Sequence, residues 1–281
     1  MRSRYRGRHR PPGGLARRRA LRRGGRPGRP AALAHPLLED PHVTIAITGG
    51  VELPAFREDV ELRTADGLTL VGELALPETA DPVATLVCLH PLPTHGGFMD
   101  SHIIRKAAAR LPALADVAVL RFNFRGVTSP RGTSEGSFGD GVDERHDLAA
   151  AMALVAQRQL PHPWLVGWSF GTEVALKWGL EHPVEGAILL SPPLRRTTEP
   201  ELAAWAGSGK RLVAVVPEHD DYLKPPEATA RFAAAVPEAE VVAVDDGKHL
   251  WVGEKQTARV LTEIVRVVNP AALPLPTEWP V

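Results

Sequence analysis

Residues 163–179 read Pro163-Trp164-Leu165-Val166-Gly167-Trp168-Ser169-Phe170-Gly171-Thr172-Glu173-Val174-Ala175-Leu176-Lys177-Trp178-Gly179. A short apolar run with β character, Trp164 to Val166, meets G-x-S-x-G and then a helical pattern carrying Val174, Leu176 and Trp178. A strand that turns sharply into a helix around such a serine is a nucleophile elbow. The turn forces the serine into a strained backbone conformation, and a Cβ two residues to either side would clash, so Gly167 and Gly171 are required. Ser169 Oγ is thereby lifted above the sheet edge. The Phe170 N–H and the positive end of the helix then lie beside any oxyanion that forms. Ser169 is the candidate nucleophile.

Working outward, the flanking sequence alternates strand and helix signals. Val60–Thr64 and Leu68–Leu76 alternate in polarity around Asp66-Gly67, which reads as an antiparallel opening pair. Ala84–Leu89 and Val117–Phe122 are continuously apolar, as expected of strands buried on both faces. Helices are expected over His102–Leu111, Val142–Gln159, Pro226–Val236 and Val252–Val268, and further strands over Ala187–Leu190, Leu212–Val216 and Val241–Val244. This order predicts an α/β fold with a mostly parallel central sheet and helices on both faces. Between Ser191 and Arg211 there is room for one short helix near Pro200–Ala206, so no large lid domain is expected there and the site should be open. The Gly-, Ser- and Pro-rich stretch 124–141 reads as a long loop of functional or mobile character.

A serine hydroxyl needs a base to take its proton, and the base needs a third group to orient it. After an elbow of this kind the acid precedes the histidine in the chain. His249, in Asp245-Asp246-Gly247-Lys248-His249, follows the last strand and is the candidate base. The acid comes from Glu218-His219-Asp220-Asp221, with Asp220 preferred and Asp221 the alternative. The second oxyanion donor is expected in the turn after Leu89; Pro91 has no N–H, which leaves the Leu92 amide as the partner of Phe170. Trp168, His90 and Arg125 are the expected pocket-lining residues, with packing beneath the elbow as the alternative for Trp168. Ser191 reads as structural.

His90, His95 and His102 lack the spacing of a metal site, and the glycines of 126–141 lack that of a phosphate loop. No metal or cofactor is therefore expected. Arginines crowd residues 1–30 with no acid before Glu39, so a chain of zero net charge has an acidic body, which argues against a nucleic-acid partner. Residues 1–42 read as a disordered Arg/Gly/Pro-rich leader, with translation expected to begin near Val43; residues 43–269 read as the folded domain and 270–281 as a Pro-rich tail. The lone Cys88 forms no internal disulfide, which fits a reducing, cytoplasmic setting. No apolar run reaches the ~20 residues of a membrane helix.

With GWSFG, HPLPTHGG, RFNFRG, EHDDYLKPP and DDGKHLWVG in view, the chain resembles the α/β-hydrolase superfamily over about Val60–Val268, in the small, lid-poor branch near dienelactone hydrolases and short serine esterases. The resemblance implies the α/β-hydrolase fold and a Ser-His-Asp hydrolase of carboxylic esters or thioesters acting on a small-molecule acyl substrate. It departs at His90-Pro91, where many relatives carry His-Gly, and in having Ser169 where dienelactone hydrolases carry cysteine. Peptide-bond cleavage, acyl transfer or a non-catalytic binding role on the same fold are the alternative functions.

Overall fold

The computed structural model describes residues 43–281; the expectation of a disordered leader over 1–42 lies outside the described residues. In chain order the strands and helices are β1 (Thr44–Ala46), β2 (Phe56–Arg63), β3 (Thr69–Leu76), β4 (Ala84–Leu89), α1 (His102–Ala115), β5 (Val117–Phe122), β6 (Thr128–Ser129), β7 (Gly132–Thr133), α2 (Glu144–Gln157), β8 (Pro163–Trp168), α3 (Phe170–Trp178), β9 (Gly186–Leu190), α4 (Glu199–Ala203), β10 (Arg211–His219), α5 (Pro225–Ala235), β11 (Glu240–Lys248), α6 (Glu254–Val268) and β12 (Glu278–Pro280).

Eight of these strands form one sheet in the order β11-β10-β9-β8-β4-β5-β3-β2. The strands from β11 to β5 run parallel, and only β3 and β2 are antiparallel to their neighbours. Period-two alternation divides the core. On one face Val87, Leu89 and Leu165 pack with Leu148 of α2, Val174 of α3 and Phe232 of α5. On the other, Leu86, Cys88, Trp164, Val166 and Trp168 pack with Ile104 of α1 and Ile264 of α6. The sheet is therefore mostly parallel with helices on both faces, and the interval between β9 and β10 holds α4 and no separate lid.

Three features depart from the sequence reading. The hairpin begins at Phe56 rather than Val60, because Phe56 pairs with Leu76 along the full length of β3. Its extra residues, Phe56 to Asp59, are mostly exposed on the sheet's edge and carry no burial pattern to be read. Stretch 124–141 is not an open loop: it contains the β6–β7 hairpin and is fastened at its start by Arg125. The Pro-rich end of the chain is also structured, since β12 pairs antiparallel with β1 while Leu273 and Leu275 pack on the α1/α6 core. That pairing joins segments from the two ends of the described chain, and no local signal announces it.

Candidate active site

Ser169 sits between β8 and α3 with φ 51° and ψ −114°, a left-handed conformation that an L-residue adopts only when its surroundings impose it. The imposition is steric. A Cβ on Gly171 would lie 2.0 Å from Leu89 O, and one on Gly167 would lie 2.6 Å from the Gly171 carbonyl carbon. Strand β4, the elbow and the first turn of α3 therefore close on each other only through those two glycines. The Ser169 N–H donates to Leu190 O at 2.9 Å, which anchors the turn to β9.

His249 follows β11 and arrives from the far side of the sheet in sequence. Its Nε2 is 2.8 Å from Ser169 Oγ and its Nδ1 is 2.9 Å from Asp220 Oδ2. With Nδ1 facing a carboxylate, Nδ1 carries the proton and Nε2 is left to accept from the hydroxyl. Asp220 Oδ1 accepts from the N–H groups of Tyr222 and Leu223. Burial alone would raise the Asp220 carboxyl, but the bonds from His249, Tyr222 and Leu223 outweigh it and hold the group below its ordinary value. Asp221 is exposed and makes no hydrogen bond to His249. Ser169, His249 and Asp220 thus form one hydrogen-bonded chain, and Asp221 is outside it.

The His249 backbone is itself held. Trp168 Nε1 and Ser191 Oγ both donate to His249 O, at 3.1 and 3.3 Å. His102 Nε2 lies 2.6 Å from Leu250 O, and Trp251 is wholly buried in the α1/α6 core. The loop is therefore pinned on both sides of the imidazole.

The turn after β4 is equally constrained. His90 is fully buried against Phe124, with Nε2 accepting from the Phe124 N–H at 3.0 Å and Nδ1 donating to Pro91 O at 2.7 Å. Burial pushes its pKa down to about 4, so the ring is neutral in the tautomer these two bonds require. The Gly97 and His95 amides fold back onto Leu92 O. Among the described residues, the Leu92 and Phe170 amides donate to no other protein group. Leu92, Phe170, Ser169 and His249 all line one cavity of about 710 Å³.

No family model matches the chain. Among curated proteins, an uncharacterized protein of Rickettsia prowazekii is 33% identical over 118 residues, 40% of this chain and 46% of that protein, so the chain spans less than half the length of that relative. Among solved structures, an alpha-beta serine hydrolase homologue from Coxiella burnetii superposes with TM-score 0.65 and 24% identity, over 75% of this chain and 97% of its own. A serine hydrolase without lid from Xanthomonas campestris superposes with TM-score 0.63 and 26% identity, over 80% and 99%. The Pyrococcus furiosus esterase Pf2001 does so with TM-score 0.61 and 19% identity, over 76% and 93%. The chain has the α/β-hydrolase fold.

Within that α/β-hydrolase frame, none of the three expected pocket residues lines the cavity, and for Trp168 the alternative of packing beneath the elbow holds. Trp168 is buried on the α1/α6 side, because strand parity sends its ring below the sheet, edge-on to His102. His90 lies beneath the turn and not in the cavity. Arg125 turns inward to Asp147, with Nη2 to Oδ1 at 2.8 Å, and reaches Asp66 through Nη1 at 3.0 Å. Burial opposes its charge, but the two carboxylates outweigh that and raise the guanidinium above its ordinary value. All three support the site from behind.

The cavity wall is instead supplied by residues the sequence reading passed over, chiefly Tyr222, Arg195, Arg196 and Leu250. Glu173 was also missed. It is wholly buried on α3 and accepts the Arg195 and Thr197 amides at 2.7 Å each. A carboxylate in the first turn of the elbow helix, four residues after Ser169, was the signal that could have found it. Among the described residues, the grouping of side chains that could hold a metal is Glu218, His219 and Asp246, all exposed and none of them lining the cavity.

Proposed function

We propose that the protein is a serine hydrolase of carboxylic esters or thioesters. The observation that carries the reading is the chain Asp220 Oδ2–His249 Nδ1 and His249 Nε2–Ser169 Oγ, at 2.9 and 2.8 Å, opening into a cavity lined by two amides without protein acceptors. It is supported by the serine hydrolases and esterases among the fold's solved relatives.

In this reading Ser169 Oγ attacks the substrate carbonyl carbon as its proton passes to His249 Nε2. Asp220 holds the imidazole by Nδ1 and stabilises the imidazolium without taking the proton. The oxyanion is received by the Phe170 and Leu92 amides, the former at the positive end of α3. Collapse of the tetrahedral adduct expels the alcohol or thiol, which takes the proton from Nε2. Water then adds to the acyl-enzyme with His249 as base, and the second collapse returns the carboxylic acid product and free Ser169. No step calls for a metal or cofactor. The lone buried Cys88 supports a reducing, cytoplasmic location as part of the proposal.

The test is labelling with a fluorophosphonate probe, followed by turnover of p-nitrophenyl esters of rising chain length. Labelling and turnover are expected in the wild type and absent from Ser169→Ala. A Ser169→Ala protein that still labels would remove the nucleophile assignment.

A further inference from the structure

The cavity beside Ser169 holds a guanidinium that no carboxylate answers. Arg195 and Arg196 are consecutive in the stretch between β9 and α4, and both line the cavity. Arg196 Nε donates to Asp140 Oδ1 at 2.7 Å, so its charge is balanced. The Arg195 guanidinium forms no ion pair with any of the described residues. It lies over the Tyr222 ring, 5.6 Å from the centroid, and that ring meets the His249 ring edge-on at 4.7 Å. One aromatic ring separates an uncompensated cation from the imidazole that abuts Ser169.

This placement is built into the fold. Glu173, wholly buried one turn beyond Ser169 on α3, accepts the Arg195 N–H with Oε1, and takes the Thr197 N–H and hydroxyl with Oε2. A buried carboxylate thus ties the Arg195 backbone to the helix that presents the nucleophile. Leu194, immediately before it, is buried with φ 48°, which sets the direction in which the chain leaves the core. Arg195 is exposed at the rim of the cavity, and an unpaired guanidinium there favours a planar oxyanion that it can hold with two parallel N–H bonds. Asp221 lines the same cavity, exposed, and works against such a group.

We propose that Arg195 determines the specificity of this site, and that the favoured substrates are esters bearing a carboxylate on the acyl or the alcohol arm. The inference rests on the ester-hydrolase reading above. It names the chemistry that reading leaves open.

Two matched ester pairs test it: 4-methylumbelliferyl hexanoate against the mono-4-methylumbelliferyl ester of adipic acid, and phenyl butyrate against 3-butyryloxybenzoic acid. Turnover of the neutral members, lost in Ser169→Ala, tests the hydrolase reading separately. For Arg195 the readout is the ratio of kcat/KM, anionic over neutral. In at least one pair it is expected to favour the anion in the wild type and to fall about tenfold in Arg195→Gln, mostly through KM. Arg195→Lys should recover part of the ratio, and Asp221→Asn should raise it. A ratio that Arg195→Gln leaves unchanged in both pairs overturns the proposal. If neither pair is turned over, calorimetric titration of the anionic esters into Ser169→Ala and Ser169→Ala/Arg195→Gln decides it. Equal affinity, or no binding to either, overturns the assignment.

Discussion

Asp220 and Asp221 are adjacent and chemically identical, yet their positions separate them completely. Asp220 spends one oxygen on His249 and the other on two backbone amides; Asp221 has neither set of partners. Asp220→Asn is therefore expected to cut kcat by about 10⁴, the loss that accompanies a wrong imidazole tautomer, while Asp221→Asn stays within about tenfold for a neutral ester. Steady-state kinetics on the two variants checks this, and reversed magnitudes would exchange their roles. His90 makes a prediction in stability. The folded protein keeps this ring neutral down to about pH 4, whereas the unfolded chain takes up a proton near its ordinary value of 6.5. The unfolded state thus binds more protons between those values, so the contribution is complete above pH 6.5 and is lost as pH falls toward 4. It is worth up to about 3 kcal/mol. Urea unfolding at pH 7 and pH 4.5 should show a smaller acid loss in His90→Asn than in the wild type; parallel losses would mean the ring is not the titrating group.

At the scale of elements, the elbow is a contact between β4, β8 and α3 with no room for a side chain. Gly171→Ala places a methyl 2.0 Å from Leu89 O, and the backbone must move to relieve it. The expected result is a loss of more than about 3 kcal/mol of stability or failure to express as soluble protein, read by chemical denaturation. Arg125 does comparable work for stretch 124–141. Its side chain and that of Asp147 are both buried, so removing the guanidinium leaves an uncompensated carboxylate beneath the loop. Arg125→Met should cost about 3–5 kcal/mol, and the double variant Arg125→Met/Asp147→Leu should recover much of it. This is why a composition that suggests mobility yields a fixed segment: a residue read as pocket-facing is instead the fastening.

Over the whole molecule, the described chain is closed by β1 against β12 and by Leu273 and Leu275 on the α1/α6 core. Deletion of 270–281 is expected to lower stability by about 2–4 kcal/mol through lost apolar burial while leaving KM for a neutral ester unchanged within about twofold, because none of these residues lines the cavity. Thermal unfolding and steady-state kinetics on the truncated protein measure both. The parallel sheet, its two helical layers, the elbow and the absence of a lid domain between β9 and β10 were legible in the amino-acid order, since each depends on a local pattern of apolar runs, glycines and spacing. Ser169 and His249 were legible for the same reason. Which way Trp168, His90 and Arg125 face was decided only by tertiary structure, through strand parity and the carboxylates that distant segments bring up. The same holds for the pairing of the chain's far end and for the unpaired Arg195 cation that lines the cavity beside Ser169, while Asp220, already preferred in the sequence, was separated from Asp221 by its bonds. Burial and partnership are properties of segments that meet in space, and no local window of sequence contains them.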